Sequence, residues 1–93
     1  MRFEWDERKN TINKIKHGVS FEEAFTVFFD DEAILFDDPE HSDYEERFLL
    51  IGMSASSKLC IVCHCYRNED TVIRIISARK ATNNEVKRYV EGI

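Results

Sequence analysis

Two arginines interrupt a run of strand-forming residues, Ile73-Arg74-Ile75-Ile76-Ser77-Ala78-Arg79-Lys80-Ala81, near the end of this 93-residue chain. A guanidinium group is costly to desolvate unless it is paired, and its planar fork suits bidentate recognition of phosphate or carboxylate. A second such run, Leu59-Cys60-Ile61-Val62-Cys63-His64-Cys65-Tyr66-Arg67, precedes it, with Asn68-Glu69-Asp70 between. A hairpin would bring His64, Tyr66, Arg67, Arg74 and Arg79 onto neighbouring backbone, placing groups that exchange protons beside groups that hold anions.

The elements that must position these residues follow from periodicity and punctuation. Phe3-Glu4-Trp5 reads as a short strand or an aromatic anchor. Asp6 can cap a helix running to His17, with Ile12 and Ile15 as its buried side and Gly18 in the left-handed position that ends helices. Ser20 and Glu23 have capping-box spacing, opening a second helix whose Phe21, Ala24, Phe25 and Phe28 repeat at helical intervals. Strands are expected at 33–36, 46–53, 58–67 and 71–78, separated by an acidic loop at 37–43 and a serine-rich turn at 54–57. Thr82 and Glu85 form another capping box, so the chain closes with a helix carrying Val86, Tyr89 and Val90. Short connections make consecutive strands antiparallel, which gives one α+β domain over residues 1–93: two N-terminal helices, a four-stranded antiparallel meander and a C-terminal helix.

Composition restricts the class further. One Pro, three Gly and 43% hydrophobic residues point to a packed globule. Cys60, Cys63 and Cys65 fall within a single strand and cannot join distant parts of the fold, which suits a reducing cytoplasm and small buried thiols. Their spacing matches no common zinc pattern, so neither metal nor cofactor is expected. No apolar stretch approaches the length of a membrane span. The net charge of −5 hides a segregation: residues 1–20 carry +2, residues 21–46 carry −11 with no Lys or Arg, and residues 47–93 carry +4. Local field steers a polyanion more than total charge does, so the basic terminal thirds could form one pole.

Five ordered motifs together resemble the BrnT family of type II toxins. They are Phe3-Glu4-Trp5-Asp6; Lys16-His17-Gly18-Val19-Ser20-Phe21-Glu22-Glu23-Ala24; His41-Ser42 leading to Glu45-Glu46-Arg47; Ile51-Gly52; and Arg74-Ile75-Ile76-Ser77-Ala78-Arg79-Lys80-Ala81. The resemblance covers nearly the whole chain. It implies a RelE-like fold, a ribonuclease activity that arrests growth, and neutralisation by a BrnA-like antitoxin with a ribbon-helix-helix DNA-binding domain. Operator DNA would be reached only through that antitoxin, in a two-plus-two heterotetramer.

RNA supplies its own nucleophile, the 2′-hydroxyl, so cleavage requires a base for its proton, cations for the phosphorane and an acid for the leaving 5′-oxygen, without a required metal. His64, His17, His41, Glu46 and Tyr66 are the available proton carriers; Arg47, Arg67, Arg74, Arg79 and Lys16 are the available phosphate ligands. The preferred catalytic set is His64, Arg67, Arg79 and Glu46. Substrate contacts are expected from Lys16, His17, Arg47, Arg74 and Tyr66. Each has a structural alternative: His64 as a hydrogen-bonded core residue, Lys16 and His17 as helix-end cations, Arg47 in a cross-strand pair with Glu45 or Glu46, and Arg74 bridging to a carboxylate such as Glu46. Strand alternation sets Arg74 and Arg79 on opposite faces unless a twist or strand end intervenes. A non-enzymatic module that assembles with an antitoxin into a repressor is the competing class. The acidic run from 30 to 46 is then either a solvated surface or a dock for basic antitoxin residues.

Overall fold

A computed structural model describes residues 1–92. The elements in chain order are β1 (Arg2–Glu4), α1 (Glu7–His17), α2 (Phe21–Val27), β2 (Ile34–Asp37), a 3-10 turn at Pro39–His41, β3 (Arg47–Met53), β4 (Leu59–Arg67), β5 (Val72–Lys80) and α3 (Asn83–Glu91). The four expected strands form the meander β2-β3-β4-β5, all antiparallel. The sheet is nevertheless five-stranded and mixed, because Arg2–Glu4 adds as a parallel edge strand against Val72–Arg74 of β5. Three residues are too few to display an alternating pattern, and the parallel partner lies at the other end of the sequence.

Caps set the helix limits. Asp6 accepts hydrogen bonds from the backbone N–H groups of Arg8 and Lys9, and Gly18 at φ 73° closes α1 in the left-handed region that costs glycine no Cβ clash. Thr82 and Glu85 form the reciprocal box at α3. At α2 the box is half-made: Ser20 accepts from the Glu23 N–H, while the Glu23 carboxylate turns to the hydroxyls of Ser54 and Ser56.

The buried side of α1 differs from the expected one. Ile12 and Ile15 are 58% and 82% exposed, whereas Asn10 and Asn13 are buried. The Asn13 amide donates to the carbonyls of Val19 and Ala78, and its oxygen accepts from the Ala78 N–H. It thereby takes up the ladder positions of β5 beyond the end of β1, acting as a one-residue substitute for a strand. Asn10 accepts from the Phe21 N–H and donates to Glu7 and Glu22, fixing the α1–α2 corner.

Helices α1 and α2 close one face of the sheet around a core of Val19, Phe21, Ala24, Val27, Leu50, Cys60, Val62, Ile75 and Ala78. Gly52 permits this approach, since a Cβ there would lie 2.7 Å from Val27 Cγ1 and 3.0 Å from Ala33 Cβ. Helix α3 crosses the opposite face, where Arg88 sits 4.1 Å above the Phe36 ring and the Tyr89 hydroxyl donates to Asp30. No helix of the described residues is long and apolar enough to cross a membrane.

Candidate active site

Sheet register decides which candidate residues share a surface. Arg47 pairs with Cys65, Cys65 with Arg74 and Arg74 with Glu4, making one row across four strands. Arg67 lies two residues beyond Cys65 on the same side of β4. Strand β5 carries a register shift opposite Cys63 and His64, where Ser77 and Ile75 take the partner positions and Ile76 is the extra residue. That bulge resets the alternation, so Arg79, opposite Ile61, rejoins the face of Arg74. Four arginines therefore occupy the face turned away from α1 and α2.

They do not form one pocket. Arg79 is level with Ile61, six residues from Arg67 along β4, a separation of roughly 20 Å at strand rise. Arg79 binds both Glu85 oxygens, at 2.7 and 2.9 Å, and its hydrogen bonds are the first cause holding the Glu85 carboxyl at about 2. It anchors the start of α3. Arg74 pairs with Glu4 at 2.8 Å instead of Glu46, because Glu46 lies across the sheet. Arg67 and Arg47 converge on one carboxylate: Arg67 is 3.0 Å from Glu45 Oε2 and Arg47 is 3.8 Å from Glu45 Oε1. Arg47 Nε is buried without a hydrogen-bond partner.

The preferred proton carriers are elsewhere. His64 has no exposed surface and packs edge-on against Phe28 and Tyr66, with Nδ1 3.2 Å from the Val62 carbonyl. Burial pushes its pKa down, opposed by the Val62 hydrogen bond, so the ring is a neutral core group on the helix-covered face. The pocket expected from His64, Arg67, Arg79 and Glu46 is thus divided between two faces and two ends of the sheet. Tyr66 and Glu46 line a cavity of about 530 Å³ on the helix side, with Phe48 and Leu35 among its walls. Lys16 and His17 occupy the last turn of α1. The bonding of Asn13 to Ala78 directs that turn toward the Arg79 end of β5. Cys60 and Cys63 are buried thiols whose pKa values desolvation raises to about 11, which leaves them unreactive.

The proton carrier that shares a groove with Arg47 and Glu45 is His41. It stands on the 3-10 turn with Nδ1 3.1 Å from both Asp38 oxygens, and it lines a groove of about 220 Å³ with Glu45 and Arg47. The turn is stitched to β3: Asp38 N–H donates to the Arg47 carbonyl, Ser42 Oγ donates to the Asp38 carbonyl, and Arg47 N–H donates to Ser42 Oγ. Asp38 is buried while the imidazole is exposed, an arrangement that orients a histidine and leaves its outer nitrogen free. The His41-Ser42 pair was visible in sequence; its connection to Arg47 runs through backbone contacts that no spacing encodes.

A family profile described as "Ribonuclease toxin, BrnT, of type II toxin-antitoxin system" matches residues 5–85. The chain belongs to the BrnT family. Among solved structures, the 1.1 Å crystal structure of the Brucella abortus ribonuclease toxin BrnT superposes with a TM-score of 0.68 at 26% identity, covering 89% of this chain and 99% of that one. No curated protein sequence matches. A BrnT-family chain is a ribonuclease toxin of a type II toxin–antitoxin system, and such a system implies an antitoxin partner.

Proposed function

We propose that this toxin cleaves RNA without a metal, on the sheet face turned away from α1 and α2, using His41 for proton transfer and Arg47 and Arg67 to hold the scissile phosphate. The observation that carries this reading is the convergence of two guanidiniums on the Glu45 carboxylate beside the His41–Asp38 pair. In that place a carboxylate does what a phosphate oxygen pair would do, and RNA would displace it. His41 Nε2 takes the 2′-hydroxyl proton as the O2′–P bond forms. Arg47 and Arg67 offset charge on the phosphorane, the P–O5′ bond breaks, and the imidazolium returns the proton to the 5′-oxygen. Arg74, one row position from Cys65, extends the cationic surface along the strand. Arg79 lies toward the other end of the same face and would touch a longer RNA, whereas Lys16 and His17 belong to α1 on the opposite face and lie outside this path. The products are a 2′,3′-cyclic phosphate and a 5′-hydroxyl.

The reading extends to a cytoplasmic RelE-like toxin neutralised by a BrnA-like ribbon-helix-helix antitoxin in a two-plus-two complex. The test is purified, antitoxin-free protein incubated with labelled RNA in EDTA. Cleavage with cyclic-phosphate ends, lost in Arg47→Ala, is expected; intact RNA would overturn it. One observation favours the binding-module alternative: each of these four arginines is already paired with a carboxylate of its own chain. Intact RNA in the same experiment, with operator repression retained alongside the antitoxin, would select that alternative.

A further inference from the structure

The cavity on the helix side of the sheet has the opposite electrostatics. Phe48 and Tyr66, with ring centroids 5.4 Å apart and nearly perpendicular, form its aromatic wall with Leu35 and Met1, and Glu46 and Asp70 form its polar rim. Glu46 is one residue beyond the Arg47–Cys65 pair, opposite Tyr66. No Lys or Arg lines the cavity, and among the described residues neither Glu46 nor Asp70 makes a salt bridge or side-chain hydrogen bond. Its volume of about 530 Å³ falls in the range of sites that enclose a small ligand or a long side chain.

We propose that this cavity receives an arginine side chain from a basic segment of the antitoxin. A guanidinium is the group these walls complement: its face stacks on Tyr66 or Phe48, and its five N–H donors reach the Glu46 and Asp70 carboxylates. The charged side chains of the lining are Glu46 and Asp70, and Glu46 belongs to a segment, residues 21–46, with eleven acidic and no basic side chains, so a basic partner is the complementary one. The same field repels the phosphates that accompany any nucleobase, which sets RNA aside as the occupant. The inference rests on the partner half of the function proposed above and not on where RNA is cut.

The probe is a tetra-arginine peptide titrated into the full chain, followed by amide chemical shifts and calorimetry, with GMP as the comparison ligand. Peptide-induced shifts should centre on Leu35, Phe48 and Tyr66. Glu46→Gln and Phe48→Leu should each weaken binding about tenfold, whereas Glu32→Gln, on the same acidic segment outside the cavity, should change it less than twofold. Because Phe48→Leu can disturb the fold, Glu46→Gln carries the test by itself. Equal weakening by Glu32→Gln and Glu46→Gln, or shifts scattered over the acidic surface, would reduce the effect to general charge attraction and overturn the proposal. Shifts at the cavity from GMP and none from the peptide would also overturn it, in favour of a nucleobase. Failure of the protein to cut RNA would remove the ribonuclease reading and leave this binding result intact.

Discussion

The two faces of the sheet divide the polar chemistry between them. On the face turned from α1 and α2, Arg47, Arg67, Arg74 and Arg79 all have carboxylate partners within the chain. On the helix-covered face, Glu46 and Asp70 stand beside aromatic rings with no Lys or Arg in their cavity, and His64 is sealed in the core against Tyr66 and Phe48. Groups of equal interest in the sequence thus have different physical prospects. A carboxylate-paired arginine that is half-buried or exposed can exchange its partner for a phosphate more readily than a fully buried neutral imidazole can be uncovered.

The largest test of this division uses its two histidines. His41→Ala should lower RNA cleavage by about 10²- to 10⁴-fold with unchanged thermal stability. His64→Ala should lower stability by about 2–4 kcal/mol through the cavity it leaves, with any activity loss tracking the unfolded fraction. The reverse pattern would exchange the roles of the two faces. Next in size is Asn13→Ala, which strips partners from the carbonyls of Val19 and Ala78 and the Ala78 N–H. Two or more kcal/mol should be lost, measured by denaturant midpoint, with hydrogen exchange rising first in β5.

Acidity sharpens the contrast from another side. Burial lowers the pKa of His64 in the folded state. The unfolded chain therefore binds the proton more readily, and this contribution to stability, present above pH ~6.5, is lost as pH falls toward the folded-state value. A melting temperature lower at pH 5.5 than at pH 7.5 is expected, with a smaller difference in His64→Phe; an identical pH dependence in that variant would remove His64 as the cause. The smallest effect concerns the β4–β5 hairpin, where Asn68, Glu69 and Asp70 all have positive φ, at 51°, 54° and 67°. Glu69→Gly should relieve backbone strain and raise stability by about 0.5–1 kcal/mol, read from the melting temperature.

The meander, the three principal helices and the Thr82–Glu85 box were legible because each depends on local pattern. The parallel pairing of the edge strand with β5, the buried side of α1 and the active-site grouping were not. Asn10 and Asn13 are polar by type, and their burial makes sense only once Phe21 and Ala78 arrive to bond them. Arg74 and Arg79 have the parity of opposite faces until one extra residue in β5 restores them to the same side. His64, Arg67 and Glu46 were close in register yet separated by alternation and burial, which are properties of the assembled sheet. Arg47 is the instructive case. Its pairing with Glu45 was anticipated as a bland structural contact, and the same contact places it beside His41 and Arg67.

The parallel pairing of β1 with β5 ties Glu4 to Arg74, seventy residues later. A growing polypeptide therefore keeps its first strand unpartnered until most of the chain has left the ribosome, and loop closure over that length is slow relative to the hairpins. Until β5 has been made, Glu4 has no Arg74 to pair with, and the row that runs from Arg47 through Cys65 to Glu4 stays incomplete.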